Sequence, residues 1–323
     1  MALLEIDDLA IAFGTPRDAT AVVDGVTFSI DAKETVALVG ESGSGKSVTA
    51  MAIMRLLQEP GRVTRGEIRF EGRDLAHLDE RAMAKIRGDR IAMIFQEPMT
   101  SLNPLLSIGA HVAEPLRLHR RLSRREARTR AIALLDRVGI PSAARRFDDY
   151  PHRMSGGMRQ RVMIAAALAC EPALLIADEP TTALDVTIQA QITDLLSDLQ
   201  SEFGMGILFI THDLGVVAEQ AHRVVVMYAG RLVERAETTR LFSAAAHPYS
   251  AALLQCMPDE EESGDRLAVI DGMVPAPTAL PSGCRFEPRC KYAVDACRAG
   301  EPPLLSLGPD HAAACIRPLE AAA

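Results

Sequence analysis

The sequence predicts an α/β fold with an anion-binding turn at the mouth of a buried strand, and three observations carry that expectation. The apolar run Thr35-Val36-Ala37-Leu38-Val39 leads into Gly40-Glu41-Ser42-Gly43-Ser44-Gly45-Lys46-Ser47 and then a helix-compatible stretch at 48–58. A second apolar run, Leu174-Leu175-Ile176-Ala177, ends on Asp178-Glu179-Pro180. Strand-length apolar runs alternate with helical periodicity along most of the chain, as in a mostly parallel sheet covered by helices.

Each element follows from its residues. Stretches 3–12 and 21–30 read as two strands bridged by the polar turn Thr15-Pro16-Arg17-Asp18. The strand at 35–39 and the helix at 48–58 flank the glycine-rich turn, and a further strand is expected near 66–70. Residues 90–95 form a compact apolar strand ending at Gln96. From 97 to about 151 the pattern turns helical. Within it Ser123-Arg124-Arg125-Glu126 is a capping box, and Ala127, Ala131, Leu134, Leu135 and Val138 line one helical face before Gly139 and Pro141 end it. Strand 173–177 follows, then a helix carrying Ile188, Ile192, Leu195, Leu196, Leu199 and Phe203 and closed by Gly204. Strands at 206–210, 223–228 and 231–234 complete the pattern. Beyond Leu254 the acidic run Asp259-Glu260-Glu261-Glu262 and Pro275, Pro277 and Pro281 read as a linker to a short cysteine-bearing tail.

Composition narrows the classes. With 323 residues there is room for one α/β domain of about 230–250 residues and a small addition. A formal net charge of −8 argues against nucleic-acid binding through the whole surface. The longest apolar run, Val162 to Cys170, stops at Glu171, too short to cross a bilayer. The first residues carry neither a basic region nor a cleavage site, so a cytosolic setting is expected, where cysteines serve as thiols or metal ligands rather than disulfides. Residues 117–146 hold ten arginines against Glu126 and Asp136. Such a run is ordinarily a solvated helix face, and its rival is a surface for lipid head groups or an acidic partner.

The chemistry lies in three motifs. In the first, Gly40, Gly43 and Gly45 let main-chain N–H groups approach a phosphate, helped by the helix behind them. Glu41, Ser42, Ser44 and Val48 belong to the same cradle, Lys46 reaches the β/γ-phosphates, and the Ser47 hydroxyl takes a place on Mg2+. In the second, Asp178 is delivered by a buried strand to hold Mg2+, and Glu179 polarises an attacking water. The third, Met154-Ser155-Gly156-Gly157-Met158-Arg159-Gln160-Arg161, opens a helix with a serine and two glycines, another anion site.

With these residues the chain resembles the ATP-binding cassette (ABC) ATPases over roughly residues 3–245. The resemblance implies a RecA-like core with an antiparallel β subdomain and an α-helical subdomain at about 97–160. It implies an ATPase domain over 1–255 and an extension over 256–323. Gln96 matches the glutamine that joins nucleotide and Mg2+ to the membrane partner, Ala183-Leu184-Asp185 the D-loop, and His212 the histidine that meets the γ-phosphate. Phe13 matches the aromatic under adenine, although a core role suits a phenylalanine there as well. The signature departs from L-S-G-G-Q at Met154 and Met158, while Ser155 and Gly157 are intact.

That variant, with Glu97-Pro98-Met99-Thr100-Ser101-Leu102-Asn103-Pro104 and His247-Pro248-Tyr249, resembles the ATPases of di- and oligopeptide importers, of the "D" type. The resemblance implies ATP hydrolysis on the inner face of the cell membrane, peripheral to it. It implies a homologous "F"-type ATPase as partner, with Ser155, Gly156 and Gly157 capping ATP on the other subunit. It further implies two transmembrane permeases and an extracytoplasmic solute-binding protein, and no nucleic acid. Importers of nickel or other small solutes, and soluble ABC ATPases acting on ribosomes or DNA, are the alternatives.

Cys284, Cys290, Cys297 and Cys315 are separated by five, six and seventeen residues. Four cysteines in a tail with a meagre core suggest a metal staple, and zinc, a [4Fe–4S] cluster and free thiols all remain open on spacing. The resemblance to peptide-importer extensions implies the [4Fe–4S] cluster. Cys170 and Cys256 read as ordinary buried residues.

Overall fold

The computed structural model describes residues 2–15, 17–96, 101–182, 185–257 and 269–319. In chain order the described elements begin with β1 (Leu4–Phe13), β2 (Thr20–Ile30), β3 (Thr35–Val39), α1 (Lys46–Ile53), β4 (Arg62–Phe70) and β5 (Arg73–Asp74). Next come α2 (Glu80–Ile86), β6 (Ile91–Ile94), α3 (Ile108–His119), α4 (Arg124–Arg137), α5 (Ala143–Arg146), α6 (Gly156–Leu168), β7 (Leu174–Asp178), α7 (Val186–Phe203) and β8 (Gly206–Thr211). The last are α8 (Leu214–Gln220), β9 (Arg223–Tyr228), β10 (Arg231–Glu237), α9 (Thr238–Ala244), α10 (Pro248–Gln255), β11 (Leu305–Gly308) and β12 (His311–Ala313). They form two compact units. One spans residues 31–34 and 77–209, the other 2–30, 35–76 and 210–323.

The 77–209 unit carries strands β8, β7 and β6 in that order, with β6 parallel to β7, Ile91 opposite Leu174 and Ile94 opposite Ala177. Every residue of β6 and β7 is buried, the continuous apolar run of strands covered on both faces. The helical part packs α3, α4 and α6 on one another. Ile108, Val112 and Leu116 of α3 and Ala127, Ala131 and Leu135 of α4 are buried, while Leu134 is half-buried. The Ser123–Glu126 capping box forms as expected, with Glu126 N–H donating to Ser123 Oγ at 3.3 Å and Ser123 N–H to Glu126 Oε2 at 2.9 Å. In α7, Gly204 takes the left-handed C-cap at φ 66°, as its sequence predicts.

The other unit has an antiparallel sheet, β2-β1-β4-β5, and a sheet segment ordered β11-β12-β10-β9-β3, in which β3 runs parallel to β9. The tail enters this segment, because β12 pairs antiparallel with β10, Glu234 opposite Ala313. Its Phe286 is buried against Tyr228 and Tyr249 at ring-centroid distances of 5.2 and 5.3 Å. β11 and β12 lack the apolar alternation that reveals a strand, since β11 is exposed along its length.

One boundary corrects the sequence expectation. Helix α1 ends at Ile53 instead of reaching residue 58. Leu56 N–H donates to the Met51 carbonyl at 2.8 Å and Arg55 N–H to that of Ala52 at 3.0 Å, a Schellman closure with Arg55 at φ 50° where glycine is usual. No glycine marks the stop, so helical periodicity overruns it. The expected linker at 259–262, the segment 97–100 and D-loop residues Ala183 and Leu184 lie outside the described residues.

Candidate functional site

In the unit holding 35–76, β3 delivers the glycine-rich turn directly into α1. Gly40 sits at φ 146°, and a Cβ there would stand 2.1 Å from the Met227 carbonyl oxygen, so nothing larger fits. Gly43 at φ 79° meets nothing within 4 Å, and there the turn conformation itself calls for glycine. Lys46, the first residue of α1, is buried, and its Nζ donates to the Gly40 carbonyl at 2.7 Å, the Glu41 carbonyl at 3.0 Å and Ser44 Oγ at 3.3 Å. Gly45 at the N-cap provides no side-chain cap, which leaves the positive end of the helix for an anion. Ser42 is exposed, and Ser47 and Val48 are half-buried just inside the helix.

Two further expected residues lie in this unit. Phe13 ends β1 half-buried, its ring so close over Gly61 that a Cβ there would meet it at 2.6 Å. His212 follows β8 and is exposed, and the next residue, Asp213, caps α8 by accepting from Gly215 and Val216 N–H at 2.9 and 3.3 Å.

In the 77–209 unit, Asp178 is buried at the end of β7. Glu179 follows at φ 47°, a left-handed conformation costly for a residue with Cβ and maintained only where surroundings impose it. Those surroundings are polar. Glu179 Oε2 accepts from Gln96 Nε2 at 2.8 Å and from Thr182 Oγ1 at 2.9 Å. Gln96 and Glu179, far apart in sequence, therefore meet in one cluster, and Thr182 joins them without having been singled out by any motif.

Ser155, Gly156 and Gly157 open α6. Ser155 is its N-cap and accepts from Met158 N–H at 3.3 Å. Gly157 faces α7, where an added Cβ would lie 3.0 Å from Ile188 Cγ2. Met154 is buried, so its substitution for leucine keeps an apolar plug beneath the serine. Asp185 caps α7 by accepting from Ile188 N–H at 2.9 Å.

Half of the arginine run is neutralised internally. Arg128 is bidentate to Asp148 at 3.0 and 3.1 Å and lies 4.0 Å from the Phe147 ring centroid, while Arg130 pairs with Glu171 at 2.6 Å. Arg120 reaches Asp89, Arg137 reaches Glu202 and Arg146 reaches Asp149. Arg128, Arg130 and Arg137 are exposed with their partners, while Asp89, Arg146 and Asp149 are half-buried.

Cys284, Cys290, Cys297 and Cys315 line one small pocket with Phe286 and Pro302. Burial pushes the Cys284 thiol up to about 11, assisted by the three other cysteines, and burial likewise raises Cys290 and Cys315. Backbone N–H groups of Phe286, Tyr292 and Arg317 donate to Cys284, Cys290 and Cys315, the support a thiolate sulfur requires. Among the described residues, no group of three or more His, Cys, Asp or Glu side chains closes into a set that could hold a metal ion. Cys170 is buried as expected, and Cys256 is only half-buried. No helix among the described residues is long and apolar enough to cross a membrane.

Comparison with known proteins agrees with this arrangement. The ABC transporter family model matches residues 23–182, and the model of the oligopeptide/dipeptide transporter C-terminal region matches residues 233–297. A putative peptide import ATP-binding protein of Brucella melitensis is 56% identical, covering 99% of this chain and 98% of its own. The dipeptide transport ATP-binding protein DppD of Escherichia coli is 49% identical over the same shares, and the oligopeptide transport ATP-binding protein AppD of Bacillus subtilis is 53% identical over 94% and 93%. Among solved structures, the dimeric cassette MJ0796 in a post-hydrolysis state bound to ADP and Pi is 30% identical, with a TM-score of 0.66 over 73% of this chain and 98% of that one.

Proposed function

This chain belongs to the ABC transporter ATPases, in their oligopeptide/dipeptide branch, and we propose that it hydrolyses ATP through Glu179 to power peptide import. It is the ATP-binding subunit of a peptide importer. Lys46 and the main chain of 40–48 bind the phosphates of ATP, with Phe13 beside the base and His212 at the γ-phosphate. Ser47 at the head of α1 and Asp178 at the end of β7 each offer a hard oxygen of the kind Mg2+ takes, and Gln96 is assigned to Mg2+ as well. Bound Mg2+ would neutralise charge developing on the phosphates.

The observation that carries the catalytic reading is Glu179 itself. It follows a buried strand in a strained conformation, with its carboxylate oriented by Gln96 and Thr182, as a general base for water requires. Because Gln96 holds that carboxylate, movement at Gln96 alters the base, and this is the route by which a membrane partner would govern turnover.

Ser155, Gly156 and Gly157, with Asp185, act on ATP bound to a second ATPase, a homologous F-type subunit. The dimeric state of the MJ0796 cassette supports such pairing. The partners are that ATPase, two permeases and a solute-binding protein, with the chain peripheral on the cytoplasmic face of the membrane. The four tail cysteines share one pocket without closing into a ligand set here, and with N–H donors to three of their sulfurs they are the residues that would hold a [4Fe–4S] cluster. Glu179→Gln tests the catalytic reading. ATP affinity should persist while turnover by the assembled transporter drops by three orders of magnitude or more, on the order of losing a general base together with its positioning. Hydrolysis at the wild-type rate would remove Glu179 from this role.

A further inference from the structure

Glu41, the second residue of the phosphate-binding turn, is held at three places. Its N–H donates to the Tyr249 hydroxyl at 2.9 Å, its carbonyl accepts from Lys46 Nζ at 3.0 Å, and its carboxylate accepts from both Nη atoms of Arg289 at 2.7 and 3.0 Å. Two of these three restraints originate outside the turn.

Arg289 belongs to the cysteine-bearing tail, immediately before Cys290, and its side chain is 5% exposed. Its guanidinium is fully employed. Besides Glu41, Nε donates to the Asp271 carbonyl at 2.9 Å, Nη1 to the Tyr228 hydroxyl at 3.3 Å and Nη2 to the Ile270 carbonyl at 3.1 Å. Five donors in a rigid fork match this set, whereas a lysine ammonium has three and no plane. Tyr249, which restrains the Glu41 N–H, packs against Tyr228 at 4.6 Å and against the tail's Phe286 at 5.3 Å between ring centroids. One external restraint on Glu41 thus comes from the tail itself, and the other from a tyrosine packed against it.

We infer that Arg289 is a positioning residue for ATP. By fixing Glu41 it ties the shape of the phosphate-binding turn to the docking of the cysteine-bearing tail. The inference rests on residues 40–47 being the ATP turn and adds a route by which the tail acts on them. A phosphate cradle works because its N–H groups converge before the ligand arrives, so a turn released at Glu41 must be ordered at the expense of binding. Linkage makes the effect reciprocal. If the docked tail strengthens ATP binding by some factor, bound ATP stabilises the docked tail by the same factor.

The experiment uses the full-length chain, with ATP–Mg2+ affinity measured at equilibrium for wild type, Glu41→Gln, Arg289→Lys, Arg289→Ala and the double variant Glu41→Gln/Arg289→Ala. Each single change should weaken ATP about tenfold, the double change should be no weaker than the worse single one, and lysine should not rescue. Hydrogen–deuterium exchange over residues 284–298 should slow when ATP binds wild type and respond less in Glu41→Gln, a variant that leaves every tail residue in place. Unchanged affinity in Glu41→Gln, losses that simply add, or tail exchange indifferent to ATP in wild type would each overturn the inference. Lys46→Ala separates the two readings. If it binds ATP as wild type does, the turn itself is misassigned; if it alone loses ATP, only the link to Arg289 fails.

Discussion

At the scale of single residues, both the proposed chemistry and the stability involve side chains held in unusual states. Glu179 is the clearest, a carboxylate in a left-handed backbone conformation whose neighbours Gln96 and Thr182 stand 83 residues before it and three after it. The motif reveals Glu179, but Thr182 carries no signal until the turn after β7 folds back. His247 is a second case. Burial lowers it from 6.5 to about 3, and its neutral ring serves on both sides, Nδ1 accepting from Tyr249 N–H at 3.1 Å and the ring bonding the Ala314 backbone. The unfolded chain takes up a proton near pH 6.5 that the folded chain refuses until about pH 3. Stability from this group is therefore complete above pH 6.5 and is lost as pH falls through that window, by up to about 1.4 kcal/mol per pH unit. Thermal melts between pH 7 and 4 should show a shallower acid decline for His247→Asn, which keeps an N-cap acceptor, than for wild type; parallel curves would mean that His247 does not contribute to it.

At the scale of elements, helix ends carry both structure and function. Ser155 caps α6 and also stands at the proposed anion site, and one substitution separates the two roles. Ser155→Ala removes the bond to Met158 N–H and should lower stability by about 1 kcal/mol, the usual cost of an N-cap. ATP turnover of the assembled transporter should fall further than that, by about tenfold or more, since a donor to the phosphate is lost as well. A melt shifted as expected beside undiminished turnover would leave Ser155 as a cap alone. Asp185, Asp213 and His247 likewise cap helices, so a polar residue at a motif's edge has a structural duty whether or not it touches nucleotide.

At the scale of the whole molecule, the tail is bound into the unit that carries the phosphate turn. β12 extends the strand order beyond β10, the fully buried Glu234 accepts from His311 Nε2 at 2.8 Å, and Arg285 reaches Asp24 at 3.0 Å. The pocket formed by this docking gathers four cysteines spread over 32 residues of sequence. Burial raises the Cys284, Cys290 and Cys315 thiols, which resist ionisation individually, and a cationic cluster would reverse that penalty. Anaerobically purified protein should therefore show the visible absorption of thiolate-bound iron, and Cys284→Ser should abolish it. Colourless protein carrying one zinc per chain would assign the pocket to the other metal.

The sequence by itself determined the fold class, the three anion and carboxylate motifs and the peptide-importer branch. Those features are local, since strand, glycine turn and helix succeed one another within a few residues, and glycine, lysine and carboxylate spacing states their chemistry. It also foresaw the caps at Ser123 and Gly204, where residue type and backbone geometry coincide. It overran α1 because Arg55 adopts the conformation usually left to glycine, and it missed β11, β12 and the arginine clamp on Glu41. The strands of the tail depend on β10, where Glu234 pairs with Ala313 79 positions on, and Arg289 meets Glu41 248 positions away, pairings that leave no periodicity or spacing to read. Only tertiary packing, which buries Arg289 and aligns its five donors, turned a tail residue into part of the phosphate turn's support.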